Sequence, residues 1–248
     1  MAGRSAPGAS LVDRTLDVLG AFGPEHRVLR LTDLAARSGL TPSTTLRIVR
    51  RLEARGFLAR RADGYVVGRR TWDLGLLAPV QTELRDVAAP FLQDLQAATR
   101  ATVHLAERDG DRVLYLDRLQ GSASVPVVSR VGGRLPLHTT GVGKVLLAHA
   151  PAEVVGQVLA GLQRVTPYSI TSPGLLQRQL AQVRREGFAS TSGEMDVGNA
   201  SVAVPVRGPD GDVVAALGLV VATLGRDRPR LVAALSVAAA GISRALRG

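Results

Sequence analysis

The chain has 248 residues, 46% of them hydrophobic, so it is long enough for one large domain or two modest ones with a buried core. Its formal charge of +10 favours an acidic partner such as nucleic acid, and its lack of cysteine excludes disulfides, thiolate catalysis and cysteine-based metal sites. Residues 1–10 lack the apolar segment of a secretory signal, which predicts a flexible tail over 1–9. The longest apolar run, at 213–225, is too short to span a bilayer, so we expect a soluble, cytoplasmic protein.

Three helices are predicted first. Apolar spacing predicts a helix over 10–22. A second, short helix is expected to be capped by Thr32 and ended by Gly39. The third begins at Thr41, whose hydroxyl caps it and which proline follows, and stops at Gly56. Two helices joined by a short turn that contains glycine form a helix-turn-helix.

The third helix has two unlike faces. At 100° per residue, Ile48, Val49 and Leu52 fall on one arc, which predicts a buried side. The opposite side combines cations with short hydroxyl groups, whereas a solvated helix face usually mixes both signs of charge. Arginine suits phosphate oxygens and guanine edges, so this side favours DNA over water alone. Its residues are Ser43, Thr44, Arg47, Arg50, Arg51 and Arg55.

A short basic hairpin follows. Strands over 57–60 and 65–67 flank a turn that contains Asp63 and Gly64. Together these elements predict a winged helix-turn-helix domain over 10–69, with the third helix in the major groove. We expect Arg47 at a base edge, with Ser43 and Thr44 near bases or phosphate. The side chains expected to hold the DNA backbone are Arg50, Arg51, Arg60 and Arg61.

The next part of the chain is predicted to be a linker helix over 70–84, broken at Pro79. Its first part is apolar, which indicates an interdomain or dimer contact. Then the spacing of the apolar residues changes from helical to alternating. Residues 102–119 are predicted to form a hairpin about a turn, and 125–132 is predicted to be another strand. A helix from Pro173 to Gly187, a hairpin turning at 209–211 and a closing helix follow. This mixture predicts an α+β domain with an antiparallel sheet over 85–248.

Three stretches of the sequence together resemble a known protein family. The sequences "PLHTTGVGKVLLA" (136–148), "RREGFASTSGEMDVGNASVAVPV" (184–206) and "PDGDVVAALGLV" (209–220), in this order, resemble the IclR family of bacterial transcription regulators across residues 10–245. The resemblance implies a DNA-binding winged helix and a GAF/PAS-like effector-binding and oligomerisation domain. It also implies a homodimer or homotetramer on a palindromic operator and a small metabolite that changes operator affinity. Repression is the commoner case in the family.

The resemblance further implies an effector pocket between the Gly-x-Gly-Lys turn and the sheet. Its positions in this sequence are Leu135, Gly141, Val142, Thr191, Ser201, Gly218 and Val220. Members that bind small 2-oxo acids tend to have an acid in place of Thr191, a cysteine in place of Ser201, and hydroxyls at the last two positions. The apolar or empty positions here predict a roomier, more apolar ligand, aromatic or acyl. A pocket filled by side chains, with no ligand, is the alternative.

Other motifs fail. A phosphate-binding loop would need glycine in place of His138 and a hydroxyl in place of Val145. The four histidines lack the spacing of metal ligands, so no metal or cofactor is expected; His138 is a candidate for the pocket mouth. Glu194 is expected in a solvated loop. Two rivals stay open: a hydrolase using Ser201 or Glu194, which no nucleophile elbow supports, and a DNA-binding protein without a ligand.

Overall fold

The computed structural model describes residues 10–23, 25–77 and 82–247, so the tail at 1–9 and the break at Pro79 lie outside the described residues. Within these ranges, no helix is both long and apolar enough to cross a membrane. Contacts divide the chain into two compact units, 1–80 and 81–248. We call them the first unit and the second unit.

The described part of the first unit contains four helices and a two-stranded antiparallel hairpin. In chain order these are α1 Leu11–Gly20, α2 Leu31–Ser38, α3 Pro42–Ala54, β1 Leu58–Arg61, β2 Gly64–Val67 and α4 Arg69–Gly75. Their core includes Val18, Leu34, Val49 and Leu58. A pair of backbone hydrogen bonds joins Leu29 to Tyr65, so the hairpin is held against the segment that precedes α2.

The helix ends follow local side-chain chemistry, with one correction. Thr41 caps α3 by accepting from the Thr44 N–H, as predicted. The prediction that Thr32 caps α2 is wrong. The Asp33 carboxylate accepts from the Arg30 N–H at 3.2 Å, so the helix begins at Leu31, one residue before Thr32.

The second unit is a six-stranded antiparallel sheet with helices on both faces. Its elements are α5 Thr82–Thr99, β3 Thr102–Asp109, β4 Arg112–Leu119, β5 Arg134–Pro136, α6 Gly141–Ala148, α7 Ala152–Ala160, α8 Pro173–Glu186, β6 Ala189–Ser192, β7 Ala200–Arg207, β8 Val213–Val221 and α9 Arg228–Ala245. The strand order is β5-β4-β3-β8-β7-β6, and every pairing is antiparallel.

Each face of the sheet has its own core, because successive side chains on a strand point to opposite faces. One core packs α5 and α9 against residues such as Val103, Leu217 and Val204. The other packs α6, α7 and α8 against residues such as Ala203 and Ala216. The α+β class with an antiparallel sheet is therefore confirmed. The second face carries the site described below.

The strand predicted over 125–132 is wrong. This segment forms no ladder, because Pro126 has no N–H to donate and the neighbouring groups bond to side chains instead. The Ser129 hydroxyl lies 2.7 Å from Nε2 of His104, and the Arg118 guanidinium donates to the Ser129 carbonyl. We call residues 121–133 the strap. The edge strand is the shorter β5, which follows the strap.

Candidate DNA-contact surface and effector cavity

The outer side of α3 is exposed along its length. Ile48, Val49 and Leu52 are buried, and Arg47, Arg50 and Arg51 are exposed, so the two faces predicted from the sequence are observed. Within the described residues, these three arginines have no carboxylate partner. They are therefore available to an anion outside the chain.

The hydroxyl groups at the start of α3 form a small cluster. Thr41 Oγ1 lies 3.2 Å from Ser43 Oγ and donates to Thr44 Oγ1 at 3.0 Å. Both predicted DNA-contact hydroxyls therefore lie at the N-terminal end of the helix, where orphan N–H groups favour phosphate.

The hairpin places its two arginines on opposite faces, because they are successive residues of one strand. Arg60 is paired with Tyr65 across the hairpin, and its guanidinium lies 5.7 Å from the centre of that ring. Arg61 points to the other face and is exposed. The structure thus brings all seven predicted DNA-contact residues onto α3 and the hairpin.

A cavity whose mouth is open to solvent lies on the α6 face of the sheet. Every strand of the second unit contributes to its wall, and residues directly paired across strands share one face. Examples are His104 with Gly218 and Val220 with Ser201. All seven effector positions implied by the family resemblance line it: Leu135, Gly141, Val142, Thr191, Ser201, Gly218 and Val220.

One end of the cavity is formed by the start of α6 and by hydroxyl groups. The Gly141 N–H donates to Ser201 Oγ at 3.2 Å, and that hydroxyl lies 2.6 Å from Thr191 Oγ1. A Cβ atom at Gly141 would lie 2.7 Å from Ser201 Oγ, so a larger residue there would have to displace this hydroxyl.

Gly218 adds no room to the cavity. A Cβ atom there would lie 2.7 Å from Val142 Cγ1, so the valine side chain occupies the space that the glycine leaves. Val142 and Val220 line this part of the cavity with apolar side chains, and the roomier, more apolar ligand stays a prediction. His138, the candidate for the pocket mouth, is buried elsewhere, with Nε2 2.9 Å from the Gln163 carbonyl oxygen.

Sequence reasoning missed three polar residues at the other end of the cavity: His104, Tyr115 and Ser129. Burial lowers the pKa of His104 to about 3, so its imidazole is neutral at pH 7, and burial raises the pKa of Tyr115. The rings of His104 and Tyr115 meet edge to face, with centroids 4.9 Å apart. The sequence carries a signal for His104 and Tyr115, because both residues lie at inward-facing positions of strands whose side chains alternate between the two faces.

The prediction that Glu194 lies in a solvated loop is wrong. Glu194 is buried rather than solvated, and the Lys144 ammonium donates to both of its carboxylate oxygens, at 2.6 and 2.8 Å. Gln179 accepts a third hydrogen bond from Lys144. Desolvation is the largest cause of both pKa shifts, lowering the pKa of Lys144 and raising that of Glu194. The pair joins α6 to the 193–199 loop, which carries Met195, another cavity residue.

Two domain families of known proteins match the chain. The family model of the IclR helix-turn-helix domain matches residues 11–62, and that of the bacterial transcriptional regulator IclR C-terminal domain matches residues 78–244. The chain belongs to the IclR family. It is a DNA-binding transcriptional regulator, as are its family relatives XynR and KdgR from Escherichia coli (strain K12). XynR is 32% identical over 95% of this chain and 96% of XynR, and KdgR is 32% identical over 94% and 91%.

Solved structures of this family share the fold. The crystal structure of an IclR homologue from Microbacterium hydrocarbonoxydans, complexed with 4-hydroxybenzoate, is 36% identical and has a TM-score of 0.90. The match covers 96% of this chain and 99% of that chain. A regulator from Rhodococcus sp. RHA1 is 29% identical, with a TM-score of 0.84 over 96% and 98% of the two chains.

Proposed function

We propose that this IclR-family regulator represses transcription from a palindromic operator, and that a small aromatic carboxylate in the cavity changes its operator affinity. We further propose that it acts in the cytoplasm as a homodimer or homotetramer. The observation that carries the effector assignment is the cavity: an apolar middle bounded by Val142 and Val220, with hydrogen-bonding groups at the start of α6. Helix N-termini favour carboxylates, and an IclR homologue holds 4-hydroxybenzoate.

The DNA-binding assignment rests on charge and exposure. Residues 1–78 contain 13 arginines and 7 acidic residues, and the exposed arginines of α3 lack carboxylate partners within the described chain. Arg47 is proposed to contact a base edge, while Arg50 and Arg51 hold phosphates. Ser43 and Thr44 lie near bases or phosphate at the start of α3. Arg60 and Arg61 contact the DNA backbone from the two faces of the hairpin.

The proposal of a dimer rests on apolar surface in the first unit. Leu11, Val12 and Leu16 expose 63%, 66% and 59% of their surface on α1. Trp72 on α4 exposes 65%. Large apolar side chains left in water on two helices are typical of a protein interface, and a palindromic operator requires two copies of α3.

The same geometry disfavours an enzyme. Ser129 and His104 lie at the distance of a nucleophile and its base, yet burial leaves His104 too weak a base to take a hydroxyl proton. Ser201 contacts Thr191 and the Gly141 N–H rather than a base. We therefore propose that the cavity binds its ligand without transforming it.

The testing experiment is a gel-shift titration of the full chain on DNA upstream of its own gene, with and without benzoate and 4-hydroxybenzoate. We expect the protein to shift this DNA selectively, and we expect one of these acids to change the affinity. Unfolding is measured in parallel, because a ligand at 100 times its Kd stabilises the folded state by about 2.7 kcal/mol. Selective DNA binding with no effect of either acid on binding or unfolding would instead indicate a DNA-binding protein without an aromatic effector.

Replacing Arg47 with alanine is expected to weaken operator binding by about 1–3 kcal/mol, because one bidentate base contact is lost. Fluorescence anisotropy with the operator and with a scrambled fragment measures both affinity and selectivity. The matched control is Arg185→Ala, which removes an exposed arginine of α8. An equal loss in both variants would mean that Arg47 contributes charge alone.

A further inference from the structure

The mouth of the cavity lies between the strap and the 193–199 loop. Val128, on the strap, lines the cavity and is 56% exposed. Asp196 and Asn199, on the loop, also line the cavity and are half-buried. Most of the other lining residues, such as Val142 and Gly218, are buried. Solvent therefore reaches the cavity between these two segments.

The strap is anchored on both sides of the mouth. At its start, the Ala123 N–H donates to the Arg100 carbonyl at 2.9 Å. Farther along, the Ser129 hydroxyl lies 2.7 Å from Nε2 of His104, and the Ser129 carbonyl accepts from Arg118. The strap is thus tied to neighbouring parts of the second unit before and after the mouth. We call residues 125–128, which lie between these anchors, the gate segment.

The gate segment is held by a single hydrogen bond. Within the part of the chain that the structure describes, its backbone groups make no hydrogen bond to other backbone groups. One side chain bonds to it there: Nδ2 of Asn199 donates to the Pro126 carbonyl at 2.6 Å. Segments with exposed hydrogen bonds and few buried apolar contacts open at a low free energy. The gate segment therefore opens more easily than the anchors beside it.

The donor of this hydrogen bond is held in place by the 193–199 loop. The second hydrogen of the Asn199 amide is donated to Oδ2 of Asp196 at 2.8 Å, which orients the amide. The Asn199 carbonyl accepts from the Gly193 N–H at 2.7 Å, and the Asn199 N–H donates to the Asp196 carbonyl at 3.2 Å. The loop thus presents a fixed donor, and the gate segment brings the acceptor to it.

We propose that the gate segment opens and closes the cavity, and that the hydrogen bond from Asn199 to Pro126 is its latch. Short segments between anchored ends act in this way as lids, which admit a ligand when open and exclude water when closed. The inference rests on the proposed function only in that the effector uses this entrance. Opening of the gate segment itself needs no ligand, so it can be measured separately.

A single introduced thiol measures access to the cavity. The chain contains no cysteine, so Val142→Cys creates one reactive site. Val142 lines the cavity on α6 and is 4% exposed, and cysteine is smaller, so the change introduces no clash. Alkylation of the full chain by iodoacetamide is followed by mass spectrometry. When opening and closing are fast, the alkylation rate follows the population of the open form.

Removing the latch is expected to raise the alkylation rate about 5-fold, the effect of one lost neutral hydrogen bond. Asn199→Ala removes the donor. Asn199→Asp keeps the shape but places a carboxylate beside Asp196 and the Pro126 carbonyl, so its rate is expected to rise at least as much. The matched control is Gln96→Ala, which removes an amide bond of 3.3 Å to the Gln120 carbonyl, before the strap begins. Its rate is expected to change less than about 2-fold.

Every variant carries the reporter thiol, and equal unfolding midpoints in denaturant show that folding is retained. Alkylation of the Val142→Cys protein as fast as that of its unfolded chain would mean that the mouth is permanently open. Equal rates in the Asn199 variants and in Gln96→Ala would mean that Asn199 is not a latch. Either result overturns the gate.

The same assay separates the gate from the effector proposal. Benzoate and 4-hydroxybenzoate at saturating concentration are expected to slow alkylation, because a ligand in the cavity covers the thiol. Rates that depend on the latch, with no protection by either acid, would support the gate and overturn the aromatic effector. Protection by an acid with rates that do not depend on Asn199 would overturn the gate and support the effector.

Discussion

Replacing Lys144 with methionine is expected to destabilise the second unit by about 3–5 kcal/mol, since it leaves Glu194 buried without its partner. Lys144 is 1% exposed, and both oxygens of the Glu194 carboxylate accept from its ammonium. Methionine has a similar length and fills the same space. The loss therefore reports the unpaired charge rather than a cavity.

A double-mutant cycle isolates this contribution. The three variants are Lys144→Met, Glu194→Leu and the pair, each unfolded in denaturant. Desolvation opposes charge on both groups, as their pKa shifts indicate, so removing both together is expected to cost less than the sum of the single changes. A Lys144→Met loss below about 1 kcal/mol would show that the pair is not buried in solution.

The same pair bears on effector binding. Lys144 lies on α6 next to the glycine turn of the cavity, and Glu194 precedes Met195, whose sulfur accepts from Thr139 Oγ1. Breaking the pair frees the 193–199 loop from α6, so Lys144→Met should weaken ligand binding as well as folding. The buried pair is thus one of the contacts that hold the 193–199 loop in place, beside the hydrogen bonds from Thr166 and Ser169 to the carbonyls of Gly193 and Glu194.

Local chemistry made the first unit predictable. Thr41 and Gly56 mark the two ends of α3, and the helical spacing of its apolar residues predicts which face is buried. All of these residues lie within one short segment of the sequence. The hairpin has its own turn residues. These signals operate between near neighbours in sequence, which is why the helix-turn-helix could be inferred from pattern alone.

The cavity depends on contacts between distant residues. Lys144 and Glu194 are 50 positions apart, and His104 and Ser129 are 25 apart. No spacing rule joins such pairs, so the sequence predicts a solvated acid in this Gly- and Ser-rich segment. The seven effector positions came from the family resemblance, and the sheet register then explains why they meet: Thr191 pairs with Ser201, which pairs with Val220.

The strap shows where propensity misleads. Its valines favour a strand, but Val128 and Val131 are 56% and 53% exposed. The carbonyls of Pro126 and Ser129 accept from the side chains of Asn199 and Arg118, and backbone bonds to β4 are made at the end of the strap, at Gly132 and Gly133. Tertiary contacts decided its conformation. The strap supplies Ser129 to the cavity, so the segment for which the strand prediction is wrong also lines the candidate site.

Operator affinity is expected to fall by about 10³–10⁵ between 50 and 200 mM salt, the largest change predicted for this protein. Arg50, Arg51, Arg60 and Arg61 are proposed to supply four phosphate contacts per protomer, and a dimer would double them into the range of about 6–10 contacts for which this loss is typical. Binding releases the counterions that those phosphates had condensed. The slope of log affinity against log salt therefore counts the contacts.

Arg51→Ala tests that count. The slope should become shallower by about 0.9 for each contact removed, while selectivity for the operator over a scrambled fragment should stay unchanged, since phosphate contacts carry no sequence information. Arg47→Ala should do the reverse and lower selectivity more than the slope. Salt-independent binding by the unmodified protein, or identical slopes for all three proteins, would mean that α3 does not lie against the DNA backbone.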